Sequence, residues 1–356
     1  MRRISIKDVK DGDILAKDLF SSSGVVLMSE GTRLKQEYIV RLLELGVKQV
    51  WIVDNGKKED ASLSSSLVEE EIKEQCGEMV RNTIEKYTYT ANDELKEIVK
   101  VADEIIEEVL NEPKVMYSVS CVREKSNALY QHSVNVAALS TLIALRAKLP
   151  RNKVKEVTVG ALLHDIGYTT ISTDVSNLDL ETCEEKVRKE VMYHVVYGYT
   201  DVEKKDWVSN TVRDIVLYHH ERLDGSGYPL HIKGKQIRQE VRIVALCDQF
   251  DSMIYGNLMP RYKVREAMDY LMSQAGVKFD FSLVQLFMES VAAYPIGITV
   301  VTNEGDTAVV VGQNFKFPTR PIIRLLKNVK GEAYEGNEER DLTKCLTLAI
   351  ADSVEY

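Results

Sequence analysis

The spacing of hydrophobic positions changes several times along the chain, and each change marks a different kind of element. Residues 1–54 begin with short strand-like runs, Ile4–Ile6, Ile14–Phe20 and Val25–Met28. Helical spacing follows from Leu34 to Leu45, with Thr32 placed to cap it and Gly46 to stop it. Gln49–Val53 reads as a further strand, so this stretch is expected to be a small α/β unit. Residues 55–66, rich in Gly, Lys, Asp and Ser, read as a linker. From 67 to 112, isoleucines and valines recur at helical spacing among many glutamates and lysines. That pattern predicts a solvated amphipathic helix packing on one face. A dimer-forming signalling helix, and with it a homodimer, is the alternative.

Residues 113–292 carry one helical pattern after another. After Pro295 the texture turns β-rich. Ile298–Thr302 and Thr307–Val311 flank Asn303-Glu304-Gly305-Asp306, a good hairpin sequence. Pro321–Leu326 and Cys345–Ile350 are further strand candidates. The expected fold class is multi-domain: an all-α helical bundle core, the N-terminal α/β unit, and a small C-terminal β-rich module over 293–356.

Composition narrows the function without choosing it. The 356 residues are 44% hydrophobic and 28% charged, as in ordinary soluble proteins. The longest nearly apolar stretch, Val136–Leu145, is too short to span a bilayer. No apolar signal core follows the N-terminal arginines, so a cytoplasmic location is expected. The net charge of −9 argues against DNA, RNA or a membrane surface as partner. The five cysteines are scattered without paired spacing and read as reduced thiols.

The histidines change the picture most. All six lie between His132 and His231. His194 follows Val187 and Val191 on an apolar stripe, and His219 and His220 follow Ile215 and Val216 at i+4. His164 closes the run Val159-Gly160-Ala161-Leu162-Leu163. Asp248 stands where the spacing of Val241, Val244 and Ala245 calls for a hydrophobe. A single histidine of this kind is ordinarily a satisfied core residue, and His231, in a loop, keeps that reading. Five histidines with Asp165 and Asp248 on apolar helix faces are hard to satisfy with hydrogen bonds alone, since a buried carboxylate is costly unless paired or metal-bound. Mixed imidazole and carboxylate donors suit Fe, Mn or Zn. Asp165, beside a helix end broken by Gly167, is the natural bridge between two cations.

His164-Asp165-Ile166-Gly167 resembles the signature of the HD superfamily of metal-dependent phosphohydrolases. The run His219-His220-Glu221-Arg222-Leu223-Asp224-Gly225-Ser226-Gly227-Tyr228-Pro229 closely resembles that of its HD-GYP subfamily. The resemblance covers roughly residues 115–275 and implies that 113–292 is a helical HD-type catalytic domain. It further implies one metal on His132, His164, Asp165 and Asp248, and another on Asp165, His194, His219 and His220. Asp165 and His164 would be the catalytic pair. The family's usual work is hydrolysis of cyclic di-GMP to the linear dinucleotide pGpG or on to GMP, with iron or manganese bound; some members act on mixed cyclic GMP-AMP. Members with a third metal carry a glutamate where this chain has Ala128, so two divalent ions are expected.

Two positions depart from the family pattern. Tyr168 replaces a lysine that meets a substrate phosphate, a charge-assisted contact worth about 1.5–3 kcal/mol. The usual Arg-Pro-Tyr-Arg-like element is displaced, leaving Arg261 and Lys263 as the nearby cations. The expected substrate-binding residues are Tyr168, Arg222, Asp224, Gly227, Tyr228, Arg261 and Lys263. The leading expectation is a phosphodiesterase in which a hydroxide bridging two metals attacks phosphorus in line with the departing 3′ oxygen. A catalytically weak cyclic-dinucleotide sensor is the alternative, motivated by Tyr168, and a mononucleotide hydrolase is a third reading.

Overall fold

The computed structural model describes residues 2–6, 9–16, 19–20, 26–28, 31–44, 49–52, 76–85, 93–111, 128–173, 175, 178–314, 316–334, 336 and 338–354. Residues 64–293 with 315–319 form one compact unit, and residues 1–63, 294–314 and 320–356 form another. The linker stretch 55–66 lies outside the described residues.

Among its described residues the larger unit is built from helices joined by turns and irregular loops, with one isolated bridge between Ala275 and Phe279. A helix α2 over 76–85 precedes α3 (Ile98–Asn111), α4 (Ala128–Arg146) and α5 (Arg151–Leu163). Then come α6 (Glu185–Met192), α7 (His194–Glu203), α8 (Asn210–Tyr218), α9 (Gln239–Tyr255), α10 (Val264–Ser273) and α11 (Phe281–Met288). Helix boundaries follow local chemistry. Ser209 caps α8 by accepting from Val212 N, and Asp280 caps α11 by accepting from Ser282 and Leu283 N. Gly256, at φ 71°, closes α9 in the left-handed conformation.

α4 and α5 pack closely, and across their buried face the hydroxyls of Thr141 and Thr158 bond to each other at 2.7 Å. The hydroxyl that accepts in this pair donates its own proton within its helix, Thr141 to Ala137 O or Thr158 to Val154 O. Gly160 lets α8 approach, since a Cβ there would lie 2.6 Å from Ile215 Cδ1. The fully buried Val136, Leu139, Ile143, Leu163, Ile215, Val244 and Phe250 fill the space between these helices.

In the other unit, β1 (Arg2–Ser5) pairs antiparallel with β4 (Gln49–Ile52), and β2 (Leu19–Phe20) with β3 (Val26–Met28). Helix α1 (Gln36–Glu44) contributes Ile39 and Leu42 to a cluster with Ile6, Leu15, Leu34, Val50 and Ile52. The C-terminal residues form a five-stranded antiparallel sheet of order β8-β7-β6-β5-β9, namely β5 (Thr299–Thr302), β6 (Thr307–Gly312), β7 (Ile322–Lys327), β8 (Glu339–Asp341) and β9 (Ile350–Val354). The hairpin read at Asn303–Asp306 joins β5 to β6, with Gly305 at φ 88°.

One strand moved. Cys345–Ile350, expected to be extended, is turned, and the strand begins at Ile350. Asp341 accepts from Thr343 N and Oγ1, and the Arg320 guanidinium donates to the carbonyls of Leu342, Cys345, Leu346 and Leu348. Those carbonyls are drawn to one cation and are lost to a ladder.

Candidate metal centre

Five helices deliver the candidate donors. α4 carries His132 on its buried face. α5 ends at Leu163, His164 follows in helical conformation, and Asp165 falls at φ −100°, ψ 11°. A tight turn over Ile166–Thr170 then seats against the start of α7, where His194 is the first residue. His219 is the C-cap that follows α8, with His220 next in the chain, and Asp248 lies midway along α9.

Asp165 is central. Its Oδ2 lies 3.2 Å from His164 Nε2 and 3.5 Å from His132 Nε2. Its Oδ1 lies 3.3 Å from His194 Nε2 and 3.6 Å from His219 Nε2. Asp248 Oδ1 is 3.1 Å from His132 Nε2, and its Oδ2 is 3.7 Å from His220 Nδ1. Two donor groups result, one of His132, His164 and Asp165, the other of Asp165, His194, His219 and His220. Asp248 flanks the first group through His132. His164, His194 and His219 are wholly buried.

The hydrogen bonds at the outer edges decide what the inner edges can hold. The Nδ1 atoms of His164 and His194 lie 2.7 Å from the carbonyls of Ala161 and Val191. His219 Nδ1 lies 3.1 Å from the carbonyls of Ile215 and Val216. A carbonyl only accepts, so each Nδ1 carries a proton, and an Nε2 without one presents a lone pair. The lone pairs of His194 and His219 face each other at 3.3 Å, and that of His164 faces His132 Nε2 at 3.2 Å. Two acceptors at that separation need a cation between them. The residues present therefore fit divalent metals with mixed nitrogen and oxygen ligands.

Protonation agrees in part and identifies a competitor. Burial pulls the His219 pKa down to about 4 and lowers that of His220, so both offer free lone pairs at neutral pH. Burial also opposes charge on His132, but hydrogen bonds to Asp248 and Asp251 outweigh it and raise its pKa to about 10. A proton can thus hold the first group together, and a metal must displace it. Against burial, which disfavours their charge, the adjacent histidines keep Asp165 and Asp248 below the usual carboxylate range.

The remaining expected site residues divide. Tyr168 stacks on His194, and Tyr228 on His220. Gly227 passes so close that a Cβ would lie 2.3 Å from His220 O. Arg222 backs the histidine pair: Nη1 donates to the carbonyls of His219 and Glu221, Nη2 donates to Gln249 Oε1, and the guanidinium lies over the Phe279 ring. Asp224 is exposed and accepts from Ser226 N in its own turn. Arg261 Nε donates to Ile254 O in the last turn of α9, and the Lys263 backbone caps α10 through Glu266.

Three contributors escaped the sequence reading. Asp251 Oδ2 lies 2.6 Å from His132 Nδ1, and Ser252 Oγ donates to Asp248 Oδ1 at 3.2 Å. Glu221, buried, accepts from Leu230 N at 2.7 Å and so closes the loop behind His220. The available signal for Asp251 was its i+3 spacing from Asp248 on α9.

Comparison with known proteins adds independent findings. Residues 119–283 match the HD domain family, and residues 299–356 match a KOW domain associated with the HD domain. The chain is 28% identical over 233 residues to cyclic di-GMP phosphodiesterase PA4108 of Pseudomonas aeruginosa, covering 65% of this chain and 56% of that protein. It is 26% identical over 210 residues to cyclic di-GMP phosphodiesterase PdeB of Borreliella burgdorferi, covering 58% and 54%. It is 26% identical over 240 residues to 3'3'-cGAMP-specific phosphodiesterase 2 of Vibrio cholerae, covering 65% and 44%. The chain spans about half the length of these curated relatives.

Proposed function

We propose that this chain, whose residues 119–283 match the HD domain family and which is similar to curated cyclic di-GMP phosphodiesterases, is an HD-GYP protein and a metal-dependent phosphodiesterase hydrolysing cyclic di-GMP to pGpG or GMP. The observation that carries the proposal is the set of imidazole Nε2 atoms facing each other across Asp165 with their protons turned outward. Two divalent ions, iron or manganese, would be held by His132, His164, Asp165 and Asp248 and by Asp165, His194, His219 and His220. Bound there, they would supply a nucleophile from water at neutral pH and offset the phosphodiester charge.

The protein's own groups do the rest. Asp165 shares its two oxygens between the donor groups and fixes their separation. The buried walls exclude bulk water and strengthen each electrostatic contact. The loop 222–230, tied down by Glu221 and Arg222, forms the rim over which a cyclic dinucleotide enters. Asp224, Arg261 and Lys263 contribute to the shape of the surrounding loops.

Turnover tests the reading. Manganese-loaded protein is expected to linearise cyclic di-GMP, and chelation or Asp165→Ala to remove that activity. Loaded protein that leaves both cyclic di-GMP and 3'3'-cGAMP intact would end the proposal. Tyr168 brings no positive charge where the family pattern has a phosphate-meeting lysine, and this supports a second reading, a weakly catalytic cyclic-dinucleotide sensor. Tight binding of cyclic di-GMP without products would favour it.

A further inference from the structure

His194 and His220 each have a tyrosine ring laid flat on the imidazole. Tyr168 lies on His194 at 4.3 Å between centroids with 10° between planes, and Tyr228 lies on His220 at 4.6 Å with 23°. Among the described residues, His132 and His164 have no tyrosine partner, and their ring neighbours are other histidines. Both stacked imidazoles belong to one donor group, that of Asp165, His194, His219 and His220.

The residue before each tyrosine is a glycine with a matching role. A Cβ on Gly167 would lie 1.9 Å from His194 O, and one on Gly227 would lie 2.3 Å from His220 O. Tyr228 N also donates to that same His220 carbonyl at 3.3 Å. Twice, therefore, a Gly-Tyr pair puts its glycine on a histidine's carbonyl and its tyrosine on the same histidine's ring. Each ring contributes a flat face, and neither phenol hydroxyl has a hydrogen-bond partner among the described residues.

We infer that Gly167-Tyr168 and Gly227-Tyr228 are a repeated positioning device that fixes the imidazole planes of His194 and His220 through ring stacking, independently of the hydroxyls. His194 has its Nδ1 bond to Val191 O to set one edge, and the stack removes the remaining rotation. For His220 the Tyr228 ring is the main planar restraint, its Nδ1 being 3.7 Å from Asp248 Oδ2. The inference rests on the metal reading of this donor group.

The test uses the full chain stripped of metal, titrated with manganese by calorimetry, together with nitrogen-15 spectra of the imidazoles in the metal-free protein. Wild type is expected to bind two ions. Tyr168→Phe and Tyr228→Phe keep the stack and should hold both affinities within about twofold. Tyr168→Leu and Tyr228→Leu should weaken one of the two ions by about tenfold or more and leave the other. In the metal-free spectra, the leucine variants should shift the His194 and His220 signals respectively. Leucine variants with unchanged affinities and spectra would overturn the inference, as would phenylalanine variants as damaging as leucine. Were wild type to take up no manganese, the metal reading would fall, while the imidazole spectra would still decide whether the tyrosines hold the rings.

Discussion

His132 shows how much of the centre is set one side chain at a time. Its Nε2 faces Asp165 and Asp248, and its Nδ1 meets Asp251 at 2.6 Å. A carboxylate behind a ligating imidazole fixes its tautomer and orientation and raises its basicity. Asp251→Ala should therefore weaken manganese binding by about 10–100-fold in a calorimetric titration. Asp251→Asn should weaken it less, because a carboxamide oxygen still accepts from Nδ1. The pH dependence follows from the same residue. Its folded pKa of about 10 exceeds the ordinary 6.5, so the metal-free protein gains stability below pH 6.5 and loses it as pH rises toward 10. Asp165 and Asp248 act in the opposite sense, their folded pKa values lying below 3.8, with stability lost as pH falls past that value. Metal must displace the His132 proton, so manganese affinity should rise between pH 6 and 8 while the melting temperature of metal-free protein falls. Affinity independent of pH would contradict this. Residue identity was largely legible in the sequence, because a histidine or aspartate on an apolar stripe is conspicuous. Asp251 was not, since its meaning depends on a ring 119 positions away. Nor was the placement of Arg261, which depends on an open carbonyl at the end of α9.

Elements decide whether those residues meet. The turn after Asp165 lies against α7 because Gly167 has no side chain, its absent Cβ falling 1.9 Å from a backbone oxygen and 2.6 Å from Gly198 N. Backbone atoms cannot move aside cheaply, so Gly167→Ala should destabilise the protein by about 1–3 kcal/mol. Urea unfolding would measure it, and a loss below a few tenths of a kcal/mol would contradict the packing argument. The helical spacing over the described residues from 128 to 292 and the Asn303–Asp306 hairpin were readable because period and turn chemistry are local signals. The start of β9 was not. Cys345–Ile350 is apolar enough for a strand, but Arg320, far away in sequence, gathers its carbonyls into a turn. Tertiary context overrode local propensity there.

At the scale of the molecule, with a net charge of −9, bound divalent cations would be the strongest local attraction for an anionic ligand. No helix among the described residues is long and apolar enough to cross a membrane. Metal binding to the folded state alone should also stabilise it, by about 2.7 kcal/mol at a hundredfold excess over Kd. Chelation should lower the melting temperature accordingly. The most direct measurement is metal content per chain, by elemental analysis of anaerobically purified wild type and Asp165→Ala. Two divalent ions in the wild type and the loss of both in the variant are predicted, because one carboxylate serves both donor groups. Wild type without bound metal, or a variant that keeps both ions, would contradict the shared centre.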